Sequence, residues 1–119
     1  MGEWKVQMIE MNFGTLSNAE LENVHKSLRA AVDGPFFPDW EFHTLFGLER
    51  EDVRSIVERW PNVDFYNHDV LLAVNNSLNN LSGYPHRKEE VLERLTDSTS
   101  DELHQLLRKL KGKAAAQSK

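Results

Sequence analysis

Laid on itself with a shift of 50 residues, this chain stays in phase without a single gap. Leu21 falls on Leu71, Val24 on Val74, Ser27 on Ser77, Leu28 on Leu78, and Pro35 on Pro85. Further along, Phe42 meets Leu92, Val53 meets Leu103, Ile56 meets Leu106, and Trp60 meets Leu110. Identities are few, so the register carries the argument: two unrelated amphipathic segments would lose phase across a connection of this length. The bland alternative is that helix, Pro turn, short helix and helix is a common string, matched by chance. If the register reflects duplication, residues 18–62 and 68–112 are three-helix halves that cannot close their own cores and pack face to face.

Local signals place six helices. Ser17 with Glu20 makes a capping box ahead of Leu21, Val24, Leu28 and Val32, which share one face. Asp33-Gly34-Pro35 ends that helix, with Gly34 expected as a left-handed cap and Pro35 unable to continue the ladder. Asp39 opens a short helix carrying Trp40, Phe42, Leu45 and Phe46, and a third runs from about Glu49 to Trp60, closed by Pro61. Asn67 caps a fourth with Val70, Leu71, Val74, Leu78 and Leu81, ended by Gly83-Tyr84-Pro85. A short fifth lies around Val91, Leu92 and Leu95. The last follows the Thr99/Glu102 capping box, carries Leu103, Leu106, Leu107 and Leu110, and stops at Gly112. Trp4, Val6 and Met8 alternate with polar residues as in a short strand, for which Val63 to Tyr66 is the sole candidate partner. The expected fold is therefore all-α, about six helices in two pseudo-repeated halves, with a short N-terminal extended segment. Residues 1–112 are expected to form one helical domain and 113–119, with nothing to bury, a disordered tail.

Composition narrows the function. Cysteine is absent among the 119 residues, which excludes a disulfide scaffold, a thiolate metal site and a catalytic thiol. No apolar run is long enough to span a bilayer, and the N-terminus has no basic region followed by an apolar stretch, so the expected location is the cytoplasm. The net charge is −5 and uneven: residues 1–107 hold all 19 acids and nine of the 14 bases, whereas 108–119 hold five bases and no acid. An acidic body repels phosphate backbones and suits a basic protein partner. A nucleic-acid contact through the basic C-terminus is the weakest of three functional readings.

Candidate sites are few. The five histidines are scattered, and none has the close helical spacing of a zinc pair. Asp39 and His43 would share a face of a short helix, yet they are more simply a cap and a surface group. Asp97 to Asp101 resembles a calcium loop but lacks the required glycine, and Arg108 stands where a bidentate Glu is needed. No catalytic residue, cofactor or metal is expected. The cluster Phe36, Phe37, Trp40, Phe42 and Phe46 can roof a core or anchor a partner. Phe36 and Phe37 are the pair expected at the surface, because their shifted counterparts, His86 and Arg87, are polar. Asn75, Asn76, Asn79 and Asn80 crowd the fourth helix although Asn disfavours helix, and they form the second candidate partner-binding set beside a bland solvated face.

Gly34-Pro35 followed by Trp40-Glu41-Phe42-His43-Thr44-Leu45-Phe46-Gly47 resembles a segment of small bacterial helical proteins of no assigned function. The resemblance covers the first half of the chain, implies a bacterial cytosolic origin, and brings no catalytic or binding residue with it. The expectation is a non-enzymatic protein-interaction module of immunity-type or regulatory kind. The alternative is a small-ligand binder or enzyme with a pocket between the halves, using His43, Asp39 or His86.

Overall fold

The computed structural model describes residues 10–112. Ser17 opens α1 (Asn18–Asp33) through a reciprocal capping box: its hydroxyl accepts from the Glu20 amide while Glu20 accepts from the Ser17 amide. Asp39–Phe46 forms α2, Arg50–Arg59 α3, His68–Gly83 α4, Glu89–Thr96 α5 and Ser100–Leu110 α6. The Asn67 side chain caps α4, and a Thr99/Glu102 box caps α6. A three-residue 3-10 helix, Phe13–Thr15, precedes α1. The fold is all-α, with no strand among the described residues. Val63 to Tyr66 lies in turns between α3 and α4, not in a strand, and Trp4, Val6 and Met8 lie outside the described residues.

The 50-residue register recurs in the elements. α1, α2 and α3 begin at residues 18, 39 and 50, and α4, α5 and α6 at 68, 89 and 100. Packing follows the same exchange. α1 packs on α3 and on α5, while α4 packs on α6 and on α2, and α1 and α4 cross each other at the centre. Each short helix therefore lies against the long helix of the other half, so neither half encloses a core alone. Val24, Leu28, Val74 and Leu78 are fully buried at that crossing, joined by Phe42, Phe46, Leu92, Val53 and Leu103 from the flanking helices. Burying such side chains away from water supplies the main drive to fold.

Two turns show why particular residues stand where they do. Gly34 is not left-handed: its φ is −81°, an extended C-cap. Glycine is needed there for space instead, because a Cβ would stand 2.5 Å from the Ala30 carbonyl oxygen and 2.6 Å from the Phe36 ring. The left-handed cap comes after α2, at Gly47 (φ 71°), and its counterpart after α5 is Asp97 (φ 57°), where a non-glycine residue takes the strained conformation.

Candidate functional site

The outer face of α2 is built around a half-buried guanidinium. Arg50, at the start of α3, donates from Nη1 to the Val32 carbonyl at 2.6 Å and from Nη2 to the Phe37 carbonyl at 2.9 Å. The same Nη2 pairs with the Asp39 carboxylate at 2.9 Å, and the guanidinium lies 4.4 Å from the centre of the Phe42 ring. One planar fork thus satisfies a late carbonyl of α1, holds the connecting turn and anchors the first residue of α2. On the opposite side, Tyr84 donates its hydroxyl to Glu41 at 2.5 Å, and that hydrogen bond, with help from burial, holds the phenol above its ordinary range. His43 Nδ1 stands 2.9 Å from the Glu49 carboxylate.

With both sides of α2 tied down, its free face carries Trp40, His43 and Thr44, spaced i, i+3 and i+4. Trp40 is 79% exposed, the most exposed large apolar side chain among the described residues. The residue 50 positions on is Glu90, also exposed in the first turn of a short helix, α5. Five carboxylates, on Asp39, Glu41, Glu49, Glu51 and Asp52, stand on α2 and the beginning of α3, and each has a partner: Asp39 has Arg50, Glu41 the Tyr84 hydroxyl, Glu49 His43, Glu51 Arg54, and Asp52 the Glu49 amide.

The expectation that Phe36 and Phe37 lie at the surface is overturned. They are 2% and 5% exposed, and Phe37 packs edge-on to Phe46 and Tyr84 at centroid distances of 5.3 and 5.4 Å. The inference from polar counterparts failed because His86 is itself buried. It packs against Phe36 at 4.8 Å, Nε2 donates to the Leu81 carbonyl, and Nδ1 accepts from the Lys88 amide. A histidine with both nitrogens satisfied can occupy a position that phenylalanine holds in the other half.

The asparagines divide. Asn76 and Asn80, half-buried, donate to the Phe46 and Leu45 carbonyls at 2.8 and 3.1 Å and so complete the C-terminal end of α2. Asn75 is half-buried and donates to Asn76, while Asn79 alone is exposed. The crowding of Asn on α4, which brings helix propensity down, thus has a packing reason at two positions. The first half solves the equivalent problem with charge: Lys26, the counterpart of Asn76, pairs with Asp97 at the end of α5 at 2.5 Å.

Two clefts lie between the halves, and the shift relates them. The larger, about 390 Å³, sits between α1 and α6 and is lined by Glu20, Asn23, Asp97, Asp101, Glu102 and Lys109 among others. The second, about 260 Å³, sits between α3 and α4, with Asp52, Ser55, Ile56 and Arg59 standing where the first has Glu102, Gln105, Leu106 and Lys109. Neither is lined by Asp39, His43 or His86, which the ligand-binding alternative invoked. The charges of the larger cleft answer each other. Lys109 bridges both Glu20 oxygens at 2.9 and 3.0 Å, chiefly through which the Glu20 carboxyl is held below its usual range; Asp97 takes Lys26, and Glu102 accepts from the Thr99 amide. Asp39 and His43 face separate partners, and no group of three His, Asp or Glu among the described residues could hold a metal ion.

No helix among the described residues is long and apolar enough to cross a membrane. Of the five bases near the C-terminus, Lys109 is neutralised by Glu20, and Lys113 and Lys119 lie outside the described residues. No family model matches the chain, and no curated protein or solved structure matches it either.

From the aromatic cluster, sequence reasoning chose Phe36 and Phe37 as the exposed pair over Trp40, although the signal for Trp40 was present. Trp40 and Phe42 are two residues apart, about 200° around a helix, so they cannot share a buried face. Phe42 and Phe46, four apart, can, and both are buried.

Proposed function

We propose that this chain is a non-enzymatic protein-interaction module, of regulatory or immunity kind, whose contact surface is the outer face of α2. The observation that carries the reading is Trp40, 79% exposed on a helix that is otherwise clamped on both sides. Tryptophan is among the residues most enriched at binding hot spots, since it buries much area while losing few rotamers. The rigid support beneath it lowers the ordering cost of binding further. The acidic surroundings and the overall charge of −5 favour a basic partner, steered to the face by the field. Asn79, exposed on α4, is the one member of the asparagine set left free to add a polar contact.

Two further readings accompany this one. The chain is taken as a cytoplasmic domain of two halves descended from one three-helix unit, a view supported by the common start positions and the exchanged packing pairs. The position of departure then has meaning: where one half keeps Glu90 and the other has Trp40, use rather than packing explains the difference.

The test is comparative capture. Immobilised wild-type protein and Trp40→Ala are exposed to the same cell extract, with circular dichroism confirming equal folding. A partner that uses this face is retained at least about tenfold less by the variant, the hot-spot scale. Equal retention of every captured protein by the two would refute the α2 reading.

A further inference from the structure

We infer that residues 1–9 of this chain dock, through Trp4, Val6 and Met8, on an apolar corner made by α1, the end of α3 and the turn that leads into α4. The corner is separate from the outer face of α2. Phe65 precedes the first turn of α4, whereas Glu41, beside Trp40, meets Tyr84 just past its last, about 24 Å away along the helix. The inference therefore stands whether or not the α2 face binds a partner.

Comparison at the 50-residue shift singles out the corner. Where the chain enters α1 it closes over the end of α6: the Asn12 amide donates to the Leu110 carbonyl at 2.9 Å, and Met11, Phe13, Leu71 and Leu110 are all buried. Fifty positions away from these stand Pro61, Val63, Leu21 and Trp60, of which Pro61 is exposed and the other three are half-buried. In the same turn Phe65 is half-buried and Tyr66 is 70% exposed. The rings of His25, Trp60, Phe65 and Phe13 form a row, with successive centroids 5.7, 5.3 and 4.9 Å apart. The described residues thus bury one of two related corners and leave the other partly in water, where further apolar cover is favourable.

Residues 1–9 suit that cover. Met1, Trp4, Val6, Met8 and Ile9 are apolar, and only Glu3 and Lys5 are charged. Trp4, Val6 and Met8 alternate with Lys5 and Gln7, so an extended backbone puts the three on one face over about 13 Å, the scale of the ring row. The tether is short. Met8 stands five residues before Phe13, at most about 18 Å of chain, and Phe13 packs on Phe65. A tether of that length keeps the segment at high local concentration beside the corner, an advantage no separate molecule has. Side chains make the contact, not a strand ladder. The Tyr66 and Asn67 amides are both donated to Asp64, one to its carboxylate and one to its carbonyl, so the turn offers no strand edge there.

The chain has no cysteine, so Gln7→Cys carries a single nitroxide on the side turned away from the corner. Nitrogen–proton correlation spectra of the full chain then show which signals the label broadens. Leu21, Val63, Phe65, Tyr66 and the Trp60 indole are expected to lose most of their intensity, with Trp40 and Thr44 unchanged. Replacing Trp4, Val6 and Met8 by Ser in the same labelled chain keeps the tether and removes the apolar face, and should restore most of that intensity. Without the label, the same three substitutions should lower the urea midpoint.

Equal broadening with and without the three apolar side chains overturns the proposal, because closeness along the chain would then explain it. So does broadening that extends to both ends of α4, or an unchanged urea midpoint. Nitroxide-labelled chain mixed with isotope-enriched, label-free chain should show no broadening when the contact lies within one molecule. Broadening of the corner in that mixture makes a second copy the occupant and overturns the assignment. Absence of any loss at the corner in the labelled chain overturns it too, and leaves the face to a partner protein.

Discussion

Truncating two aromatic side chains that lie three residues apart in sequence should have opposite consequences. Phe37→Ala removes a ring that is 5% exposed and sits edge-on to Phe46 and Tyr84. Its backbone carbonyl, which accepts from Arg50, is untouched by the change, so the effect isolates the ring. A fully packed phenylalanine truncated to alanine costs about 3–5 kcal/mol, combining lost transfer energy with the cavity left behind. The two edge-on pairs, about 0.5–1.5 kcal/mol each, fall within that figure. Trp40→Ala removes more atoms but no packing, and should change stability by less than about 0.5 kcal/mol. Urea unfolding followed by circular dichroism separates the cases. With a slope of about 1–3 kcal/mol per molar for a domain of this size, Phe37→Ala lowers the midpoint by about 2 M while Trp40→Ala leaves it in place. A loss below about 1 kcal/mol for Phe37→Ala would mean that the ring is not part of the core. A loss above about 2 kcal/mol for Trp40→Ala would mean that the indole is covered in solution, and the functional reading would go with it.

Two further perturbations test the supports of the site. Arg50→Met strands the Val32 and Phe37 carbonyls, while the solvent-exposed Asp39 carboxylate passes to water, and should cost about 2–4 kcal/mol in urea unfolding. Arg50→Lys should recover less than half of this, because an ammonium cannot reproduce the planar fork; full recovery would show that charge alone matters. Glu20, held below its usual value near 4.5 chiefly by the Lys109 hydrogen bond, contributes stability that is present above that value and lost as pH falls through its depressed one. Glu20→Gln should therefore be less stable than wild type at neutral pH, with the gap closing in acid below about pH 4; a gap independent of pH would refute the linkage.

Much of this architecture is legible in the sequence because helix grammar is local. The Ser17/Glu20 and Thr99/Glu102 boxes, the Asn67 cap and the i, i+3, i+4 stripes each depend on residues within one or two turns, and each appears where the pattern puts it. What escaped the sequence is set by contacts far along the chain. The roles of Asn76 and Asn80 depend on carbonyls some 30 and 35 residues earlier. Burial of Phe36 depends on His86, fifty positions on, finding two hydrogen bonds inside the protein. Polarity at a counterpart position was taken as a sign of exposure, but a polar group is buried whenever partners meet it.

Comparison between the halves remains informative once burial replaces polarity as the criterion. Positions 36 and 86 are both buried, so phenylalanine at one and histidine at the other both serve packing. Positions 26 and 76 both reach the end of the opposite short helix, one with an ammonium and the other with an amide, so they too serve the fold. Positions 40 and 90 differ in kind. Both are exposed on the first turn of a short helix, neither contributes to the core, and a glutamate suffices at one of them. Exposing an indole gains the fold nothing, whereas a carboxylate in the first turn gains from the helix dipole. Of the three departures, Trp40 is thus the one that neither packing nor the helix dipole accounts for, and that is why the proposed contact surface is centred on it.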